Sequence, residues 1–166
     1  MNNSIVASSG SKNVRTRFSF TDSRNKGVTP NHRLNRQYYG VNTELNNDWI
    51  SIGAKGTYMH EVTHNAPGMG EYGIMQRFVQ MPRSIQLQDL ANDIIRNNHT
   101  INWTGPSNSS SNPYSLIMPD NGNENVRDRL MGQVSATITF TNYLKLTGRT
   151  SIDMYNDKYR KYTKYL

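Results

Sequence analysis

The chain has no cysteine, which excludes a disulfide framework, a thiolate metal site and a cysteine nucleophile. It has no long apolar run either, and nothing approaches the roughly 18 residues that a membrane-spanning helix needs. The opening Met1-Asn2-Asn3-Ser4-Ile5-Val6-Ala7 lacks the basic region and apolar core of a signal peptide, so none is expected. Hydrophobic residues are scarce at 34%, with a mean hydropathy of −0.78; ordinary domains carry about 45 to 50% apolar residues counted with glycine. A compact soluble core would be thin. Acidic groups are also few, 12 against 19 basic ones, for a net charge of +7. That balance raises nucleic acid as a partner, but the cations are spread over several segments, with no basic helix or zinc-finger spacing to organise them. No nucleic acid is expected; a basic wall or ordinary solvated charge fits better.

What the sequence does have is alternation. From Val126 to Phe140 the even positions include Leu130, Val134, Ala136, Ile138 and Phe140, and the odd ones Arg127, Arg129, Gln133, Ser135 and Thr137. After Thr141-Asn142-Tyr143 the rule resumes, with Leu144, Leu146, Ile152 and Met154 set against Lys145, Thr147, Arg149 and Asp153. A period of two held this long is a β-hairpin with one apolar and one polar face. Its arms far exceed the usual 5 to 6 residues of a soluble strand. A membrane-crossing strand takes about 9 to 11 residues, apolar towards lipid and polar towards a wet lumen. Such a wall reads as hydrophilic on average, which accounts for the low hydropathy. Disorder does not account for it, given the sustained period and 10% aromatics.

The same reading along the chain gives six strands near residues 3–8, 14–24, 33–45, 49–63, 126–140 and 144–160, in sequential antiparallel order. Turn chemistry separates them at Gly10 to Asn13, Asn46 to Asp48 and Thr141 to Tyr143, with a longer break at Asn25 to His32. From about residue 65 to 125 the alternation stops, and this stretch holds five of the six prolines. Inside it, Ser84 as N-cap and Leu87, Leu90, Ala91, Ile94 and Ile95 at helical spacing predict an amphipathic helix over Ser84 to Asn97. A connection of that length is abnormal in a compact domain and ordinary as the external loop of an outer-membrane barrel, where the opposite edge carries short turns. The expected fold is all-β: an antiparallel up-and-down meander forming a partial transmembrane barrel, with one long external loop containing a short helix. The tyrosine-rich end, Tyr155 to Tyr165, would rise past the external interface.

His60-Glu61-Val62-Thr63-His64 matches the zinc-protease pattern H-E-x-x-H. On a helix the two histidines meet one metal; on a strand they stand roughly 13 Å apart. Gly53 and Gly56 before the motif, β-branched Val62 and Thr63 within it and Pro67-Gly68 after it are poor helix material, so no metal site, cofactor or catalytic residue is expected. Zinc metallohydrolase is kept as an alternative, beside a soluble basic all-β binding module. Three N-x-S/T triplets begin at Asn98, Asn102 and Asn108; in so asparagine-rich a loop they arise by chance.

Three phrases, in this order and spacing, resemble the barrel region of the SusC/RagA-type TonB-linked outer-membrane transporters of Bacteroidetes. They are Ser9-Gly10-Ser11-Lys12-Asn13 leading into Arg17-Phe18-Ser19-Phe20-Thr21-Asp22-Ser23-Arg24-Asn25-Lys26-Gly27; Phe78-Val79-Gln80-Met81-Pro82-Arg83-Ser84-Ile85; and Asn125-Val126-Arg127-Asp128-Arg129-Leu130-Met131-Gly132 followed by Phe140-Thr141-Asn142-Tyr143-Leu144. The resemblance implies a location in the outer membrane and a barrel of about 22 strands around an amino-terminal plug. It also implies import of glycans or peptides with a SusD-like surface lipoprotein, and energy from the TonB complex. No candidate for the plug is present and about six strands are, so residues 1–166 are expected to be part of a barrel wall and not an enzyme. The resemblance transfers no binding residue. The polar parity alone nominates Arg15, Arg17, Lys55, Arg127, Arg129, Gln133 and Arg149 as lumen-facing, with wall pairing or solvation as their alternative role. Leu130, Val134, Ile138, Leu146 and Ile152 are expected to meet lipid.

Overall fold

A computed structural model describes residues 1–68, 73–90, 92, 112–116 and 122–162. Six strands form one antiparallel sheet in chain order: β1 (Asn2–Gly10), β2 (Val14–Lys26), β3 (Arg33–Asn46), β4 (Ile50–His64), β5 (Gly122–Thr141) and β6 (Leu144–Tyr162). The meander and all six strands agree with the sequence reading, and most strands run one to four residues further than the alternation alone suggested. β1 and β6 are the two edges.

Local chemistry sets the short turns. After β1, the amide of Ser11 donates to Val14 O at 2.7 Å and the amide of Val14 donates to Ser11 Oγ at 3.3 Å. After β3, Asn47 N donates to Ile50 O at 2.8 Å and the Asn47 side chain accepts from Asp48 N at 2.9 Å, the local use of asparagine that favours turns. The β2–β3 connection closes with Gly27 N donating to His32 O at 3.0 Å, and Asn31 takes a left-handed φ of 63°, which asparagine tolerates.

The chain divides into two compact units. The first is Met1–Asn25, Leu34–Val62 and Asn125–Lys158; the second is Lys26–Arg33, Thr63–Glu124 and Tyr159–Leu166. Among the described residues, only Met59 in the first unit and Ile74 and Leu90 in the second are buried hydrophobic side chains. The sheet therefore has no ordinary core.

In the second unit, Asn65 and Asn123 clasp the mouth of the long loop. Asn65 N donates to Asn123 O at 2.7 Å, Asn123 N to Asn65 Oδ1 at 3.2 Å, and Asn123 bonds both the amide and the carbonyl of Ala66 at 3.0 and 2.9 Å. A Cβ on Gly122 beside them would lie 2.3 Å from Asn65 Oδ1 and displace that arm of the clasp. A helix absent from the sequence reading, α1 (Ile74–Gln80), buries Ile74 and Arg77, and burial pushes the Arg77 guanidinium below its ordinary pKa. The Phe78 ring meets Tyr114 edge-on at 6.3 Å. The helix predicted from Ser84 starts later: Ser84 lies in a turn and the backbone is helical at 87–90 and 92. Leu90 is fully buried and Leu87 is exposed. The rest of that helix and the triplets at Asn98, Asn102 and Asn108 lie outside the described residues. Buried Asn112 donates to Leu90 O at 2.9 Å and accepts from Tyr114 N at 3.0 Å, tying a 3-10 turn (Pro113–Leu116) to the 87–90 segment.

Candidate functional site

The two faces of the first unit's sheet are the candidate site. One carries Ile5 opposite Phe20 in the β1–β2 ladder. The Phe20 ring lies 5.1 Å from Tyr39, which lies 6.1 Å from Tyr58. Ile5, Phe18, Phe20, Tyr39, Tyr58 and Leu130 line an apolar hollow of about 480 Å³. This face stays open: Leu130, Val134 and Leu146 are 45, 48 and 60% exposed. On β5 it is apolar from Leu130 to Phe140 and on β6 from Leu144 to Met154, interrupted only by Gly132, Gly148 and Thr150. Eleven residues cover about 33 Å along a strand, and a tilt of about 45° brings that to about 23 Å.

The apolar band ends at one level. Immediately beyond the aromatic row stand Asp22, Gln37, His60 and Asp128. The Tyr58 hydroxyl donates to Asp128 Oδ1 at 2.6 Å, and His60 Nδ1 stands 2.7 Å from the same oxygen. In the second unit His64 Nδ1 lies 3.4 Å and Arg160 Nη1 3.7 Å from the Glu124 carboxylate.

The opposite face is polar and largely self-paired towards the same end. Arg36 of β3 donates to Glu61 of β4, which is only 8% exposed. Arg127 of β5 grips Asp157 of β6 with Nε and Nη2, at 2.6 and 2.7 Å, and its guanidinium sits 5.8 Å over the Tyr155 ring. Arg129 Nε donates to Asp153 at 2.8 Å. The β4–β5 register, fixed by Thr139 N to Trp49 O and Asn65 N to Asn123 O, sets Glu61 opposite Arg127. Arg36, Glu61, Arg127 and Asp157 thus make a row of alternating sign across four strands.

Of the seven sequence candidates, Arg127 and Arg129 belong to this paired zone. Arg17 and Lys55 line a hollow of about 260 Å³ nearer the short turns, and Arg15 lines its neighbour together with Arg17 and Glu44. Gln133 and Arg149 keep the same parity; the same register brings Gln133 opposite Lys55. Sequence reasoning missed Arg36, Glu61, Asp153 and Asp157. Opposite charges on the polar parity of neighbouring strands were a usable signal, but only once strand register was known.

The H-E-x-x-H segment is strand throughout, within β4. Alternation sends Glu61 to the polar face and both histidines to the other, each histidine beside a different carboxylate. Among the described residues no group of three or more histidines and carboxylates could hold a metal ion, and no helix is long and apolar enough to cross a membrane. Compared with known protein families and with curated proteins, the chain matches none.

Proposed function

We propose that this chain is a stretch of the barrel wall of a TonB-dependent outer-membrane transporter of the SusC/RagA type. The observation that carries the reading is the pairing of one open apolar face, bounded by the Phe20–Tyr39–Tyr58 row, with an opposite polar face on which Arg36, Arg127 and Arg129 are paired with carboxylates inside the sheet. The apolar stretches of β5 and β6 match the height of an outer-membrane apolar band, about 25 Å, and aromatic girdles are favoured at its edges. The short turns share one end of the sheet and the 57-residue β4–β5 connection leaves from the other, the asymmetry of such barrels. In this role the chain contributes lining, not catalysis. The cargo is a glycan or peptide, the partners are a SusD-like lipoprotein and the TonB complex, and the free edges β1 and β6 continue into further strands of the same barrel.

Sequencing the DNA on both sides of this coding region tests the family role. A frame for a plug domain upstream and one for a SusD-like lipoprotein downstream are expected; flanks that encode neither overturn it.

A further inference from the structure

On the polar face the cations are treated in two ways. Arg36, Arg127 and Arg129 are each matched by a carboxylate, whereas Arg17 and Lys55 form no ion pair among the described residues. Both side chains are exposed, and both line the same hollow of about 260 Å³ together with Asn42, Ser19, Thr57 and Gly40. The register set by Asn46 N to Asn13 O and Asn47 N to Ile50 O puts Asn42 directly between them, so their backbones stand about 10 Å apart. Gly40 also lines the hollow, and a Cβ there would come 2.5 Å from Ser19 Oγ, which would have to turn away. Glu44 lines the adjoining hollow with Arg15 and Arg17; by the same register it lies opposite Arg15, and among the described residues it forms no ion pair with either arginine. Arg17 and Lys55 are two cations, one a flat fork and one a point charge, over a small depression lined also by Val41 and Gly56, with an amide between them.

We infer that Arg17, Asn42 and Lys55 form a carboxylate-binding subsite on the lumen wall, so that the cargo is acidic. The inference rests on the proposed wall role and narrows it from glycans or peptides in general to those bearing carboxylates. A bidentate guanidinium–carboxylate contact on one side and an ammonium on the other is the expected geometry. Two cargo chemistries present that group, a uronic acid sugar and an acidic peptide side chain.

The test uses the transporter proposed to contain this chain, refolded into phosphatidylcholine vesicles, with calorimetric titration of tetragalacturonate, a tetra-aspartate peptide and neutral galactotetraose. At least one acidic probe should bind, more weakly as salt is raised, and galactotetraose should not. R17Q/K55Q should lose at least about tenfold in affinity, while R129Q/D153N in the paired zone keeps it and the charge-preserving R17K/K55R retains most of it. The acidic probe that binds names the cargo class. Equal binding of the neutral sugar, no binding of either acid, or an R17Q/K55Q variant that binds as well as wild type would overturn the inference. Equal losses in R17K/K55R and R17Q/K55Q would overturn it too, because they would show a packing role. The flanking DNA separates the two ideas: a plug frame upstream and a SusD-like frame downstream with no acid bound lose only the subsite, and flanks that encode neither lose the wall.

Discussion

The two faces of the sheet are made by alternate residues of the same strands, yet the polar face finds many of its partners within the sheet and the apolar face does not. On the polar face Arg36 reaches Glu61, Arg127 reaches Asp157 and Arg129 reaches Asp153, and Thr137 meets Thr147 at 3.1 Å. On the apolar face the Phe20–Tyr39–Tyr58 row finds partners only sideways. Below it Leu130, Val134, Leu146 and Ile152 stay about half exposed. Water penalises such a surface by roughly 25 cal/mol per Å², and ordinary soluble monomers avoid contiguous apolar patches of this kind. The lesson is that polar side chains can be satisfied by register within one sheet, whereas apolar ones need a second layer, and the described residues supply none for this face. Lipid supplies it in the proposed role.

The largest effect is expected from exchanging the character of neighbouring positions on the two faces. In the proposed transporter, Val134→Arg should reduce heat-resistant folded barrel in outer-membrane fractions far more than Gln133→Arg. A midplane arginine facing lipid costs about 2 to 4 kcal/mol, while substitutions on the lumen side mainly tune selectivity. Equal losses, or the reverse order, would sink the assignment of faces. Next in size is the ladder. Arg36→Leu leaves the nearly buried Glu61 carboxylate without its partner and should cost about 1 to 3 kcal/mol. The double variant Arg36→Leu/Glu61→Leu should recover most of that. Urea midpoints of the detergent-refolded chain measure both, and a double variant no better than the single would show that the pair carries no coupling.

The strands were legible because alternation with period two is a direct record of two unlike environments, and because asparagine and glycine mark the turns. The candidate cations were legible as a set by parity. Their division into paired and unpaired groups was not, since Asp153 meets Arg129 and Asp157 meets Arg127 only through the β5–β6 register, and the reading fixed parity without fixing partners. The helix α1 escaped because it is seven residues long, starts at Gly73 with no side-chain cap and has no acidic residue in its first turn; burial of Ile74 holds it, which no local signal announces. Ser84 misled for the converse reason. A serine three residues before Leu87 has the chemistry of an N-cap, but it was used in a turn, with Ile85 N donating to Pro82 O at 3.1 Å.

A smaller effect sharpens the boundary of the apolar face. Tyr39 is the middle ring of the aromatic row, so Tyr39→Ala removes two cross-strand contacts, each worth about 0.2 to 1 kcal/mol. Tyr39→Phe keeps both rings' contacts and gives up only the long 3.4 Å hydrogen bond to Gln37. The alanine variant should lower the urea midpoint and the phenylalanine variant should leave it near wild type. Equal midpoints for the two would mean that the row contributes nothing as stacked rings.

The smallest effect is expected where the sequence pattern was loudest. His60-Glu61-Val62-Thr63-His64 is divided between the two faces: Glu61 is committed to Arg36 on the polar side, and the histidines lie on the other side beside Asp128 and Glu124. Four residues of strand separate the histidine backbones by about 13 Å, well beyond what two ligands with zinc–nitrogen bonds of about 2.0 to 2.1 Å can share. His64→Ala therefore removes only one partly exposed ion pair and should cost under about 1 kcal/mol. Zinc should neither raise the urea midpoint of the wild-type chain nor distinguish it from the variant, and neither protein should hydrolyse peptide. A stoichiometric zinc site present in wild type and lost in His64→Ala would require β4 to leave the sheet at this point. That result would remove the end of the very strand on which the two-faced wall depends.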